Sequence, residues 1–148
     1  MATAEVFTRC TFAEERAGLL TIVSAGITRM WSPDQPMHGP ISLAAMIYVP
    51  PDEIGQVFEI RIAVKHVDSV EKIAEMVFGV QTAQPPEIQP GEGLRIPVVF
   101  DLRGVGFKDQ GAIDAQLLID NQIDKDLTFW VSSVPPAAPG NPSPPVDE

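Results

Sequence analysis

Residues 58–65 read Phe58-Glu59-Ile60-Arg61-Ile62-Ala63-Val64-Lys65, and this alternation decides the fold. From Phe58 to Val64 every second side chain is apolar and large, the period of a strand with one face in a core. The strand extends over Gln56 to Val67, stopped before it by Pro50-Pro51-Asp52-Glu53 and after it by Asp68-Ser69.

Outward from this segment the chain repeats the signal about eight times, with Gly, Pro and Asp between the repeats. Ile41 to Val49 is predicted as a strand and as the hairpin partner of 56–67. Ile73 to Gln81 has Ala74, Met76, Phe78 and Val80 on one face. A helix over Ser69 to Met76 competes there, but the β-prone Val77, Phe78 and Val80 favour a strand. Leu94 to Leu102 alternates through Ile96, Val98 and Phe100. Pro97 has no N–H to give to a ladder, so this strand belongs at a sheet edge or carries a bulge. Toward the N-terminus, Ala4 to Ala13 is predicted as one strand with Val6, Cys10 and Phe12 inward. Leu19 to Met30 is apolar on both faces in its first half, as in a strand covered on two sides, with a bulge or a change of face at Gly26. Pro33, Pro36 and Pro40 make residues 31–40 a loop.

Ala112 to Asp120 and Ile123 to Ser132 form the closing hairpin. A loop of Asn121, Gln122 and Ile123 pairs Leu117 with Leu127 and Ala115 with Phe129, so both inward sets agree. Trp130 then points away from the core. The expected architecture is an all-β, antiparallel β-sandwich of seven to nine strands over residues 1–134. Residues 135–148 hold six prolines and nothing large except Val146, so they are predicted to form an extended, disordered tail.

Composition narrows the function. The 148 residues contain 10 Lys and Arg against 20 Asp and Glu, a net charge of −10, and the basic residues are scattered singly. Nucleic acid and anionic membrane are disfavoured as partners. No stretch has the length of a membrane span, and Met1-Ala2-Thr3-Ala4-Glu5-Val6 lacks the basic and apolar regions of a secretory leader, so a cytoplasmic location is expected. Cys10 is the one cysteine and shares a face with apolar neighbours, which predicts a buried, inert thiol. His66 continues the apolar face of Ile62 and Val64. His38 lies in the Pro-rich loop, and neither histidine has a His or Cys at ligand spacing. With no nucleophile elbow, no catalytic residue is expected, nor any metal or cofactor. Asp120, Asp124 and Asp126 gather oxygens at a hairpin tip, where calcium is conceivable, but the glycine and final glutamate of an EF-hand loop are missing.

Two apolar sets stand out as partner surfaces. Met30, Trp31 and Met37 lie in the long loop, where they either anchor a partner or plug one end of the sandwich. Trp130, with Leu118 and Val99 on outward positions, forms a patch on a sheet face unless a loop of the same chain covers it. Trp31, Met37, Trp130 and Leu118 are therefore the candidate contact residues.

The opening Val6-Phe7-Thr8-Arg9-Cys10, a short acidic gap and Gly18-Leu19-Leu20-Thr21-Ile22-Val23-Ser24-Ala25-Gly26-Ile27 resemble a bacterial group of small β-sandwich proteins classed as a domain of unknown function. So does the ending Gly111-Ala112-Ile113-Asp114-Ala115-Gln116-Leu117-Leu118-Ile119-Asp120-Asn121, followed by Leu127-Thr128-Phe129-Trp130-Val131. The usual aromatic after the glycine is replaced here by Ala112. The resemblance implies an immunoglobulin-like or C2-like sandwich from a bacterium or its phages, and it brings no activity or catalytic residue. The expected function is a non-enzymatic protein-binding or assembly module able to self-associate. The alternatives are a structural component of a phage particle or protein shell, and a calcium- or small-ligand-binding sandwich.

Overall fold

The computed structural model describes residues 1–135. In chain order the strands are β1 (Thr3–Cys10), β2 (Phe12–Arg16), β3 (Leu19–Val23), β4 (Arg29–Trp31), β5 (Ser42–Val49), β6 (Val57–His66), β7 (Lys72–Gln81), β8 (Leu94–Asp101), β9 (Gly111–Ile119) and β10 (Gln122–Ser132). One 3₁₀ turn, Pro51–Glu53, follows β5, and there is no α-helix among the described residues. A three-stranded sheet, order β1-β5-β8, packs on a five-stranded sheet, order β4-β10-β9-β6-β7, and β2 and β3 form a separate ribbon. Every pairing is antiparallel except β4 with β10, which is parallel. The described residues thus form the expected all-β sandwich, ten strands in all, eight of them in the two packed sheets and two in the added ribbon.

Period-two burial builds the interior. Ile60, Ile62 and Val64 of β6, Ile113, Ala115, Leu117 and Ile119 of β9, and Leu43, Ala45, Ile47 and Val49 of β5 belong to one buried cluster. Burying each Val, Leu or Ile of this set is worth about 1.5–3 kcal/mol. Phe107 and Phe129 meet edge to face in that cluster, ring centres 6.1 Å apart and planes at 89°, the preferred arrangement of two ring quadrupoles. The strand reading of 73–81 holds, and β8 with Pro97 is an end strand as its missing donor requires.

Several expectations from the sequence need correction. The 4–13 strand is two strands: the register shifts between Ala4 and Val6, so Val6 is exposed rather than inward, and the chain breaks again at Thr11. There both the amide and the hydroxyl donate to the Val23 carbonyl, and the chain leaves the sheet to run across its outer face. Phe12 is accordingly exposed. The 19–30 strand is also two, split where Ser24 and Gly26 take φ of 53° and 85°. These left-handed turns carry the chain from the β2–β3 ribbon to the edge of the five-stranded sheet. Residues 41–49 and 56–67 do not form a hairpin: β5 pairs with β1 and β8, and β6 with β7 and β9. The connection between them crosses from one sheet to the other.

The closing hairpin turns at Asp120-Asn121, both at positive φ (49° and 63°), the signature of a type I′ loop. A bulge between Ile123 and Lys125 then sets Leu127 against Ala115 and Phe129 against Ile113. The predicted register is two residues off, which keeps every side chain on its predicted face. Beyond residue 135 the predicted tail lies outside the described residues.

Candidate contact face

The two outer faces of the sandwich are finished differently. On the three-stranded sheet, Ala44 of β5 and Val99 of β8 point outward and meet Cys10 and Ala13, with Leu20 and Ile22 of the β2–β3 ribbon packed over them. Cys10 is fully buried there, its Sγ donating to the Ser42 carbonyl oxygen at 3.4 Å. Burial pushes the thiol pKa up, against a smaller opposing hydrogen bond from the Phe12 backbone. Such a thiol is a poor nucleophile, as its neighbours predicted.

The outer face of the five-stranded sheet has no described residue over it. Its register lays out rows across the strands. Ile123, Leu118, Arg61 and Val77 form one row; Asp126, Gln116, Ala63 and Glu75 the next; Thr128, Asp114, Lys65 and Lys72 a third. Trp130 and Ala112 form a fourth, extended onto β4 by Arg29, with Trp31 one step further along opposite Ser132. Of the large apolar members, Ile123 is 58% exposed, Trp130 52%, Val77 46% and Trp31 41%.

A charge lattice ties the middle of this face together. Arg61 donates from Nη1 to Glu75 (2.5 Å) and from Nη2 to Glu59 (3.0 Å), and Lys72 Nζ lies 2.7 Å from the other Glu75 oxygen. Lys72, through its hydrogen bond, is the largest influence holding the Glu75 carboxyl below its ordinary pKa; desolvation opposes it and Arg61 adds to it. Arg61 Nε is buried and finds no partner among the described residues. Arg29, Arg61, Lys65 and Lys72 balance Glu59, Glu75, Asp114 and Asp126 one for one. The face is neutral on a chain of net charge −10.

The predicted contact residues are therefore sorted by the structure. Trp31 and Trp130 do share the outer face and are diagonal neighbours. Leu118 is on the same face but half-buried and six residues along β9 from the Trp130 row, about 20 Å away. Val99 is on the opposite sheet, beneath the β2–β3 ribbon, because that ribbon buries a second side of β8 that alternation alone assigns to solvent. Met37 is a correction: it is 1% exposed, exchanging backbone hydrogen bonds of 2.8 Å with Phe107. Met30 is buried beside it, so both methionines plug the sandwich end while Trp31 stays outside. The sequence reasoning passed over Val77, Ile123 and Arg29. Val77 was recoverable from its parity against Met76 and Phe78; Arg29 required the parallel β4–β10 pairing, which no local pattern reveals.

Other candidate chemistry is engaged within the fold. Asp120 accepts the Glu59 N–H (2.9 Å), and Asp124 accepts the Ala4 N–H (2.8 Å) and the Thr3 hydroxyl (3.0 Å). The hairpin-tip carboxylates thus brace β6 and β1 instead of converging. Among the described residues no three His, Cys, Asp or Glu side chains group as a metal site. His38 Nδ1 lies 3.0 Å from the Pro36 carbonyl oxygen. His66 is half-buried at the end of β6, lining an open cleft of about 550 Å³ together with Asp68, Ser69, Lys72, Lys108 and Asp109. Within it Ser69 already accepts the Glu71 N–H and Lys72 is paired with Glu75. No described helix is long and apolar enough to cross a membrane.

No curated protein matches this sequence. A family model matches residues 5–132, from β1 to the end of β10, and the chain belongs to that family, a family of unknown function (DUF6941).

Proposed function

We propose that this chain is a non-enzymatic protein-binding and assembly module that makes its contacts, including contacts with further copies of itself, through the outer face of the five-stranded sheet. The observation that carries this reading is the asymmetry of the two outer faces. One is roofed by the chain's own ribbon; the other presents Trp130, Ile123, Val77 and Trp31 with no described residue over them. Single exposed apolar residues are ordinary, but a set of them on one flat face marks a contact surface. Aromatic and aliphatic side chains set among paired charges are the composition of a protein interface. Local neutrality supports self-contact, since two copies of an acidic chain repel least where they meet through an uncharged face.

Sedimentation velocity across a concentration series tests the reading. Assembly should grow with concentration, and the double variant Val77→Lys, Ile123→Lys should stay monomeric with the parent's thermal midpoint. A parent that remains monomeric throughout, or a double variant that assembles as the parent does, would count against it.

A further inference from the structure

Four strands end the two packed sheets: β1, β8, β4 and β7. Three of them are bridged or blunted. The Ala4 N–H of β1 donates to Asp124 (2.8 Å), and its Arg9 carbonyl accepts the Gly26 N–H (2.8 Å). β8 carries Pro97, which has no N–H to offer, and β4 is three residues long. β7 is ten residues long and holds no proline. Which of its backbone groups point outward is fixed through β6. The Glu59 carbonyl accepts the Asp120 N–H, and the Val67 N–H donates to the Ala112 carbonyl. Odd-numbered residues of β6 therefore face β9, and even-numbered ones face β7. Their partners Ala74, Met76, Phe78 and Val80 bond to β6. Glu75, Val77, Gly79 and Gln81 turn their N–H and C=O groups to the open edge, where no described residue bonds them. On the inner face, the side chains of Ala74, Met76, Phe78 and Val80 pack against the core but are only partly buried.

We propose that a second copy of this chain pairs with β7, antiparallel about a twofold axis at Val77, so that two five-stranded sheets become one. The inference rests on the proposed function's claim that copies associate, and adds the edge at which they join. A second copy is the occupant because at this register the strand is its own complement. Val77 of one copy meets Val77 of the other, so the row of Ile123, Leu118, Arg61 and Val77 continues across the axis into its own mirror order. Glu75, whose charge is held by Lys72 and Arg61, meets Gly79 of the second copy, beside which there is open space. No like charges stand directly opposite each other, the arrangement that would oppose pairing. On the inner face Met76 comes beside Phe78 of the second copy, a favourable sulfur–ring contact, and Ala74 beside Val80, which completes the burial that β7 lacks alone. A foreign strand would supply the backbone bonds without this side-chain match. Because the same patch serves both copies, the contact closes on itself and leaves no further edge to grow.

Amide hydrogen exchange on the full chain tests the pairing directly. In the parent, the amides of Glu75, Val77, Gly79 and Gln81 should exchange slowly in concentrated solution and fast in dilute solution, while those of Met76 and Phe78, bonded to β6, stay protected in both. Fast exchange of the four at every concentration would overturn the inference, leaving the edge free for another protein's strand. Equal protection at every concentration would overturn it too, by assigning the edge to the chain itself. Gly79→Pro removes an outward N–H that β6 does not use and fills the space opposite Glu75. It should sediment at about half the mass of the parent's assemblies. A folded Gly79→Pro variant that assembles as the parent does would count against the pairing, and if this variant fails to fold the exchange pattern of the parent decides alone. Ile123→Lys by itself tests the face apart from the edge, because β9 and β6 stand between Ile123 and β7. Protection of the β7 amides should survive in that variant whether or not the face contact does, so the two readings fail separately; protection lost there would overturn the edge pairing.

Discussion

Over the three-stranded sheet, Ala44 and Val99 lie under Cys10, Ala13, Leu20 and Ile22; over the five-stranded sheet, Leu118, Val77 and Trp130 lie under nothing among the described residues. The difference begins in side-chain size. Alanine and cysteine at positions 10, 13 and 44 let a two-stranded ribbon approach the sheet closely, and such a ribbon has little stability unless it packs on something. The opposite face instead carries large apolar groups spaced by a charge lattice, with Arg61 stretched between Glu59 and Glu75. One face is built to be closed by its own chain. The other is built to stay open until a contact closes it.

The sharpest way to break this comparison is to charge the roofed face. Ala44→Asp places a carboxylate where exposure is zero, and burying it without a partner, or lifting the ribbon to hydrate it, should cost about 3 kcal/mol. Urea unfolding of variant and parent measures this directly. A loss under about 1 kcal/mol would mean that the ribbon rests loosely and that the two faces differ little.

A smaller effect is expected from the open side. Trp130→Thr exchanges an exposed aromatic for another β-prone residue, so folding stability should change by about 1 kcal/mol or less. If Trp130 instead proves as costly to replace as a core residue, this face is already closed inside the folded monomer.

How much of this contrast could be read beforehand follows from where the information sits. Alternation is local, so Ile60, Ile62, Val64, the face shared by Ile96 and Val98, and the outward turn of Trp130 were all legible. Pro97 announced an edge because its defect is carried by the residue itself. The bulge after Ala4 was not legible: one inserted residue turned Val6 out, next to a bracing contact from the Thr3 hydroxyl and the Ala4 amide to Asp124, some 120 positions away. In the 19–30 segment Gly26 announced a bulge or change of face, but not that the strand ends already at Ser24, a residue without glycine's ease in the left-handed region. Because the strand ends at Thr11 and Ser24 were missed, the β2–β3 ribbon was invisible, and with it the roof that puts Val99 inside. For the contact face, Trp31 and Trp130 were found from composition and parity. Their adjacency depends on a parallel pairing between residues about a hundred positions apart, which no window of sequence contains.

The smallest expected effect concerns the charge lattice on the open face and sharpens what openness means energetically. Glu75 titrates below its ordinary range chiefly because Lys72 hydrogen-bonds to it, with Arg61 assisting. A depressed carboxylate contributes stability that is present above its unfolded pKa and is lost as pH falls through the folded value. Glu75→Gln should therefore lower the thermal midpoint slightly at neutral pH, and parent and variant should converge as acid protonates Glu75. Because the lattice is solvent-facing, the neutral-pH difference should also shrink with added salt. A difference that persists in high salt would show that these charges are screened from water, and so that something covers the middle of the face as thoroughly as the ribbon covers Ala44.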